Sequence, residues 1–258
     1  MTFTDAQLMA WVQHALWTFF RIAGVLMTAP VIGSKIAPRQ VRLGLGLALT
    51  LIVMPLTPVT PAQAIFSAAW CLTTLQQFMI GVVIGFVLML AFEAVVMAGE
   101  IIAYGMGLSF AQLADPVRGT STPVVGQFLM LLATLLFLAM DGHLILIATL
   151  ADSFRTVPIS AGGIGTAQLG ALIAWSGVVF SGGLQIALPV MIALLLVNMG
   201  FGLLSRATPS LNFQSVGFPI SLLAGLLLLR YSLPGLQTVF NDLMAQSWQM
   251  LAALLNGA

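Results

Sequence analysis

Ionisable side chains are scarce in this sequence, and two carboxylates stand inside a long apolar region. Glu93 and Glu100 are seven residues apart between Ala62 and Phe110, so on a helix they share one face. A carboxylate in such a place is costly and usually faces a cavity or another polypeptide. The pair is consistent with a proton relay or with polar contacts between subunits. Because the chain has only 8 basic residues, contacts with counter-charges on other chains are favoured.

Arg21 is a second charged residue in an apolar stretch, and it follows His14 by seven residues. Its planar guanidinium suits bidentate binding of a partner's carboxylate. An arginine near a helix end can also bury its stem and extend its charge to the interface. The sequence leaves these two roles open.

The residues that metal sites and enzymes use are spread too thinly to form a recognisable pattern. His14 and His143 are far from each other and from Cys71, the single cysteine, whereas a metal site needs several ligands at suitable spacing. No nucleophile elbow, P-loop or zinc-protease motif occurs in a credible context. The sequence therefore predicts no enzyme, no metal and no cofactor.

The composition indicates a membrane protein. The chain has 258 residues, of which 60% are hydrophobic and 6% charged, whereas about a quarter of a soluble domain is charged. A net charge of +1 gives no basic patch with which to bind nucleic acid. With about 20 residues needed for each helical span, we expect one all-α, polytopic, membrane-associated protein whose helices are interrupted by glycine and proline.

Three basic residues, Lys35, Arg39 and Arg42, gather in one short segment. The positive-inside rule makes that segment cytoplasmic. The cluster is also consistent with contact to anionic lipid, although setting the topology alone is the favoured role.

Glycines and prolines predict how the apolar regions pack and where they break. Gly81 and Gly85 have the small-xxx-small spacing that lets helix backbones approach closely. Asp141-Gly142-His143 is typical of a bend. Breaks are expected at Gly182-Gly183 and Pro189.

The last segment of the chain is predicted to be an amphipathic helix after a turn at Tyr231 to Pro234. Apolar residues, among them Leu243 and Leu251, recur at helical spacing with polar residues between them. Since this segment has no lysine or arginine, a lipid surface is disfavoured and a partner helix is expected beside it.

One polar segment, Gly105 to Pro123, separates two long apolar runs. Gly105 and Gly107 permit unusual dihedrals and close approach, and Pro116 ends any helix near Asp115. Non-helical backbone at membrane depth is stable only when protein buries it or when it lines a watery cavity. The segment is either an ordinary connector or one that protein encloses.

Two stretches, Arg21 to Pro55 and Gly105 to Leu129, resemble the FliR/SctT family of flagellar and type III secretion export-gate proteins. Three shorter matches follow in the expected order: "DGHLILI" (Asp141 to Ile147), "ALPVMIALLLVN" (Ala187 to Asn198) and the stretch Ser205 to Leu229. The stretch "GLSFAQLADP" resembles the flagellar branch of the family more than the virulence branch. The ordered set, rather than any single motif, carries the resemblance.

The resemblance implies an architecture and partners. Residues 1–165 would be a FliP-like helical part, and residues 166–258 a FliQ-like helical hairpin with the amphipathic terminal helix. The chain would join FliP and FliQ in a helical channel of the bacterial inner membrane, within the flagellar basal body. FlhB, FlhA, membrane lipid and unfolded flagellar cargo would be its neighbours.

The resemblance also assigns roles to residues. The segment 105–123 would be a plug that closes the pore, and its predicted residues are Gly105, Met106, Gly107, Leu108, Phe110, Asp115, Pro116 and Gly119. From the residues themselves, polar contacts between subunits are predicted for Arg21, Glu93 and Glu100, and Leu243 and Leu251 are predicted to face a partner. For Arg206, whose position resembles a family motif, a polar contact between subunits is predicted as well. The alternative function is a self-contained, proton-coupled transporter that uses Glu93 and Glu100.

Overall fold

The structure, a computed structural model, describes residues 4–33, 38–58, 63–108, 124–159, 163–207 and 213–257. These residues form α-helices and one short 3-10 helix (Met54–Leu56), with no strand among them. The predicted all-α class is confirmed. The helices are α1 (Asp5–Thr28), α2 (Arg39–Val53), α3 (Ala68–Gly105), α4 (Val124–Ala139), α5 (Gly142–Thr156), α6 (Thr166–Trp175), α7 (Val178–Ala207) and α8 (Phe213–Asn256).

Several of these helices are long and apolar enough to cross a bilayer. Four stretches qualify: Arg39–Leu56, Ala68–Gly105, Thr166–Arg206 and Gly217–Asn256. The pair α4–α5, bent by 65°, makes a fifth if it is one broken span. The predicted polytopic membrane character is therefore confirmed, while α1 is not among the qualifying stretches.

The helix breaks follow the sequence prediction at one place and depart from it at others. Asp141 has a left-handed backbone (φ 56°) between α4 and α5, which confirms the bend. The expected breaks at Gly182-Gly183 and Pro189 are wrong, because α7 continues through them. The turn at Tyr231 to Pro234 is also wrong, since α8 includes Pro234. A chain in apolar surroundings keeps its helix past a proline because backbone groups released from the helix would lack partners.

The chain divides into two compact units that interleave along the sequence. Unit 1 is Met1–Met89, Phe137–Ser176 and Gln246–Ala258, and unit 2 is Leu90–Leu136 and Gly177–Ala245. Long helices such as α3 thus contribute residues to both. The division of the chain at residue 165, which follows from the family resemblance, stays a prediction.

In unit 1, α1 and α3 cross at glycines with almost no space between their backbones. A methyl group on Gly81 would overlap the Arg21 carbonyl and lie 3.1 Å from the Cα of Gly24. One on Gly85 would overlap the Thr28 hydroxyl. That hydroxyl donates to the Val82 carbonyl across the crossing (3.1 Å). The close approach that the small-xxx-small spacing predicts is therefore present.

An apolar core surrounds this crossing in unit 1. Its buried side chains come from α1, α2, the first half of α3, α5 and the end of α8, and include Trp17, Ile22, Ile84, Leu146 and Leu254. Because lipid tails are as apolar as these side chains, the core stabilises the assembled helices through close van der Waals packing and hydrogen bonds between helices.

Unit 2 has its own close contacts. A methyl group on Gly99 of α3 would overlap the Cα of Gly126 in α4. The rings of Phe92 and Phe240 pack edge to face, with centroids 5.4 Å apart. These contacts join α3, α4 and α8 within the unit.

We expect Gly81→Ala to lower the melting temperature of the detergent-solubilised protein, because overpacking a helix contact costs about 1–3 kcal/mol. Gly44→Ala in α2 is the matched control. A methyl group there meets nothing within 4 Å, so its higher helix propensity leaves stability unchanged or raised by up to about 1 kcal/mol. Equal melting temperatures for the two variants would contradict the close crossing of α1 and α3.

Candidate functional site

The polar segment begins at a well-defined helix cap at the end of α3. Gly107 has φ +80°, its N–H donates to the Tyr104 carbonyl (3.0 Å), and the Leu108 N–H donates to the Ala103 carbonyl (3.0 Å). A left-handed residue with these two bonds is a Schellman cap. Glycine suits the position because it has no Cβ to oppose the left-handed conformation, so Gly107 fixes the direction in which the chain leaves α3.

Side chains of α7 and α8 hold this cap in place within unit 2. The amide of Asn198 in α7 donates to the Gly105 carbonyl (3.4 Å). Ser221 of α8 in turn donates to the Asn198 side-chain oxygen (2.7 Å). Two further helices therefore position the end of α3 through one hydrogen-bonded chain, and sequence reasoning missed both residues because nothing local marks them.

Met106 is fully buried within unit 2. Its side chain packs on Gly225 of α8, where an added methyl group would come within 2.6 Å of the Met106 Cε. Of the residues predicted to form the plug, Met106 thus belongs to the attachment of the segment rather than to a free surface. Leu108 is half-buried.

The other residues predicted to form the plug, Phe110, Asp115, Pro116 and Gly119, lie outside the described residues. The chain is described again from Val124, where α4 begins. Two residues later Gly126 contacts Gly99 of α3. The polar segment therefore leaves α3 and enters α4, and these two helices touch each other in unit 2.

Arg21 lies at the centre of unit 1 and is 0% exposed. Its Nε donates to Gln77 Oε1 of α3 (2.8 Å), and Nη2 donates to the same oxygen. Nη1 donates to the carbonyl of Ser153 (2.8 Å) and to its hydroxyl (3.2 Å), and Nη2 donates to the carbonyl of Val157 (2.8 Å). All five guanidinium donors are thus used within the chain, whereas the sequence predicted a contact with another subunit.

The negative partner of Arg21 is a helix end rather than a carboxylate. Ser153 and Val157 stand at the C-terminal end of α5, where unpaired carbonyls carry about half a negative charge. The guanidinium carbon also lies 4.1 Å from the ring centroid of Phe154, a cation–π distance. Burial lowers the pKa of Arg21 to about 9, so the side chain stays charged at neutral pH.

Glu93 and Glu100 are each half-buried on α3. No basic side chain of the described residues pairs with either carboxylate. Within the same described part of the chain, no group of three histidine, cysteine, aspartate or glutamate side chains is placed to hold a metal ion.

The remaining predicted site residues lie in α7 and α8. Arg206 is exposed in the last turn of α7, where a cation favours the helix dipole. Leu243 and Leu251 are only 3% and 1% exposed. Leu243 packs on Gly182 of α7, and Leu251 belongs to the core of unit 1. The sequence predicted that these two leucines face a partner, whereas side chains of this same chain cover both of them.

Comparison with known proteins now identifies the family. The model of the family described as bacterial export proteins, family 1, matches residues 12–247. The chain belongs to this family.

Curated relatives agree over nearly the whole length. Flagellar biosynthetic protein FliR of Pectobacterium carotovorum subsp. carotovorum is 41% identical over 255 residues, covering 99% of this chain and 97% of that protein. FliR of Escherichia coli K12 is 35% identical over 254 residues, covering 98% and 97%. FliR of Aquifex aeolicus VF5 is 32% identical over 219 residues, covering 85% and 84%. Family membership and the apolar helices together make the chain a membrane-associated component of the flagellar export apparatus.

We expect Arg21→Lys to lower the free energy of unfolding by about 3 kcal/mol, because an ammonium has three donors instead of five and charge-assisted hydrogen bonds contribute about 1.5–3 kcal/mol each. Thermal melting in detergent measures the change. Arg230→Lys is the matched control, since Arg230 is exposed and surface changes usually stay within about 0.5 kcal/mol. The same melting temperature for both variants would show that the hydrogen bonds of the planar Arg21 guanidinium do not stabilise unit 1.

Proposed function

We propose that the chain is a non-enzymatic core subunit of the flagellar type III export gate in the bacterial inner membrane. With FliP and FliQ it forms a helical channel through which unfolded flagellar subunits leave the cytoplasm, and FlhB and FlhA lie nearby. The observation that carries the proposal is the attachment of the polar segment 109–123 at both ends to unit 2 of an export-family chain.

Exposed apolar surface supports assembly with other helical subunits. Within Thr166–Arg206, only 22% of the 18-residue part that is apolar enough to span a membrane is buried inside the chain. One side of α7 carries large apolar residues that are between 48% and 68% exposed: Leu188, Ile192, Leu195, Leu196, Met199 and Leu203. A surface of this size needs cover by lipid or by protein, and FliP and FliQ are the partners we assign to part of it.

The attachment of the polar segment supports the plug. The cap at Gly107 and the Gly99–Gly126 contact fix where residues 109–123 leave and re-enter the helices. Extended chain spans about 3.3 Å per residue, so this segment is far longer than the short return between two touching helices requires. The excess length allows it to reach into a pore, with Leu108 and Phe110 as apolar seal residues and Asp115, Pro116 and Gly119 as further plug residues. Neighbouring subunits would enclose the polar backbone.

The two glutamates support contacts between subunits. Half-buried carboxylates without a basic partner in the described chain are costly in apolar surroundings, and a counter-charge or donor from another subunit removes that cost. Arg206, exposed at the end of α7, is a further polar contact of this kind. The alternative, a self-contained proton-coupled transporter, would use the same glutamates as a relay.

Affinity purification in mild detergent tests the assembly. We expect the tagged chain to co-purify with two different helical membrane proteins, identified by mass measurement of the intact complex. Glu93→Gln and Glu100→Gln should each reduce recovery of these partners several-fold. Asp242→Asn, at an exposed position of α8, should not. A chain that purifies alone or as a homo-oligomer would contradict the gate, and a fully assembled Gln variant that lost its response to the proton-motive force would favour the transporter.

Shortening the segment tests the plug. Replacing residues 110–121 by a four-residue Gly-Ser linker leaves the cap at Gly107 and the start of α4 intact, so we expect an assembled complex with higher resting ion conductance. The control replaces the same residues by a Gly-Ser segment of equal length and shows whether the apolar side chains or the mere bulk closes the pore. Unchanged conductance for the shortened variant in assembled complexes would contradict the plug.

A further inference from the structure

A groove of about 290 Å³ lies between α1 and α2 in unit 1. Its lining is apolar along most of its length, and both charged residues in it are arginines. The lining residues are Phe19, Ala23, Leu26, Met27, Arg39, Arg42, Leu43 and Gly46. Neither the family assignment nor the proposed gate function gives this groove a role.

Gly46 keeps the groove open. A methyl group on this buried glycine would lie 3.3 Å from Leu26 Cδ1 and 3.3 Å from Phe19 Cε2, tighter than ordinary side-chain packing. Any larger side chain would occupy the space between α1 and α2. On the same helix, Gly44 faces open space, so the two glycines of α2 differ in what they border.

The two arginines are neighbours on α2. Arg39 and Arg42 are three residues apart in its first turn, which places them on one face of the helix. Arg39 is exposed and Arg42 half-buried. The positive end of the helix dipole opposes cations there, so the dipole of α2 does not favour the two positive charges.

The groove lies where a lipid headgroup and chain would meet the protein. Arg39 begins the stretch Arg39–Leu56, which is long and apolar enough to span a bilayer. Leu43, one of the groove's lining residues, is 57% exposed, and the outer face of α2 continues with exposed Leu47 and Leu51. The arginines are therefore at the membrane-surface end of an apolar helix, and the groove extends toward the hydrocarbon.

We propose that this groove binds one anionic phospholipid. Its phosphate lies between the guanidinium groups of Arg39 and Arg42, and one acyl chain packs on Phe19, Leu26 and Gly46. A phosphate ion alone would not use the apolar lining, and a neutral lipid would not use two arginines. The site thus binds a negative charge at one end and hydrocarbon at the other, and a phospholipid with net negative charge has both groups.

Native mass spectrometry of the purified full-length protein, with any subunits that accompany it, tests the site. The probes are palmitoyl-oleoyl phosphatidylglycerol and the phosphatidylcholine with the same chains, titrated into the same detergent. We expect one phosphatidylglycerol to bind at least about tenfold more tightly than phosphatidylcholine. Inorganic phosphate at matched concentration should not displace it, because phosphate lacks the acyl chain.

Variants assign the binding to the groove. Arg39→Gln with Arg42→Gln should weaken phosphatidylglycerol binding about tenfold and remove the preference over phosphatidylcholine, whereas Arg230→Gln should change neither. Gly46→Leu should weaken binding of both lipids, whereas Gly44→Leu should not. If melting shows that Gly46→Leu disturbs the fold, Ala23→Leu fills the same groove.

Three results would overturn the proposal. One is equal binding of the two lipids to the unaltered protein. The second is full displacement by inorganic phosphate, which would make the site one for a free anion. The third is a crosslink from Met27→Cys to another protein subunit at full yield, which would make the groove a protein interface. None of these results would contradict recovery of the assembled complex, so the lipid site can fail while the proposed gate function stands.

Discussion

The burial of one guanidinium among neutral partners is the constraint on which unit 1 depends. No carboxylate of the described residues pairs with Arg21, and its charge is met by the carbonyl end of α5 and by the oxygen of Gln77. Removing a charge from water costs several kcal/mol unless its hydrogen bonds are replaced. The helices that supply those bonds must therefore sit in one arrangement, and the glycine crossing at Gly24 and Gly81 sets the distance between two of them.

Unit 2 uses weaker interactions for a different purpose. The end of α3 is held by neutral hydrogen bonds through Asn198 and Ser221 and by the packing of Met106 on Gly225. Neutral hydrogen bonds contribute about 1 kcal/mol each. This attachment therefore positions the polar segment, yet breaking its hydrogen bonds costs little free energy. Such a junction would suit the proposed plug, which has to stay in place while the gate is closed and move when cargo passes.

The sequence predicted local features better than partners. The close approach at Gly81 and the bend at Asp141 depend on neighbouring residues, so spacing alone indicates them. Two acceptors of Arg21 are backbone carbonyls more than a hundred residues away, and a carbonyl leaves no mark on residue type. Periodicity showed that Leu243 and Leu251 lie on a buried face but could not show which helix covers that face. The predicted turn at Tyr231 to Pro234 is wrong because a broken helix in apolar surroundings would leave backbone groups without partners, which outweighs the local proline signal.

The interleaving of the two units has a consequence for how the protein is made. Arg21 leaves the ribosome long before Ser153, which is 132 residues further on, and unit 1 also needs residues that follow Gln246. The guanidinium of Arg21 therefore lacks its partners on α5 until those residues have been made. Unit 1 can be completed only after nearly the whole sequence has been translated, since its last segment is Gln246–Ala258.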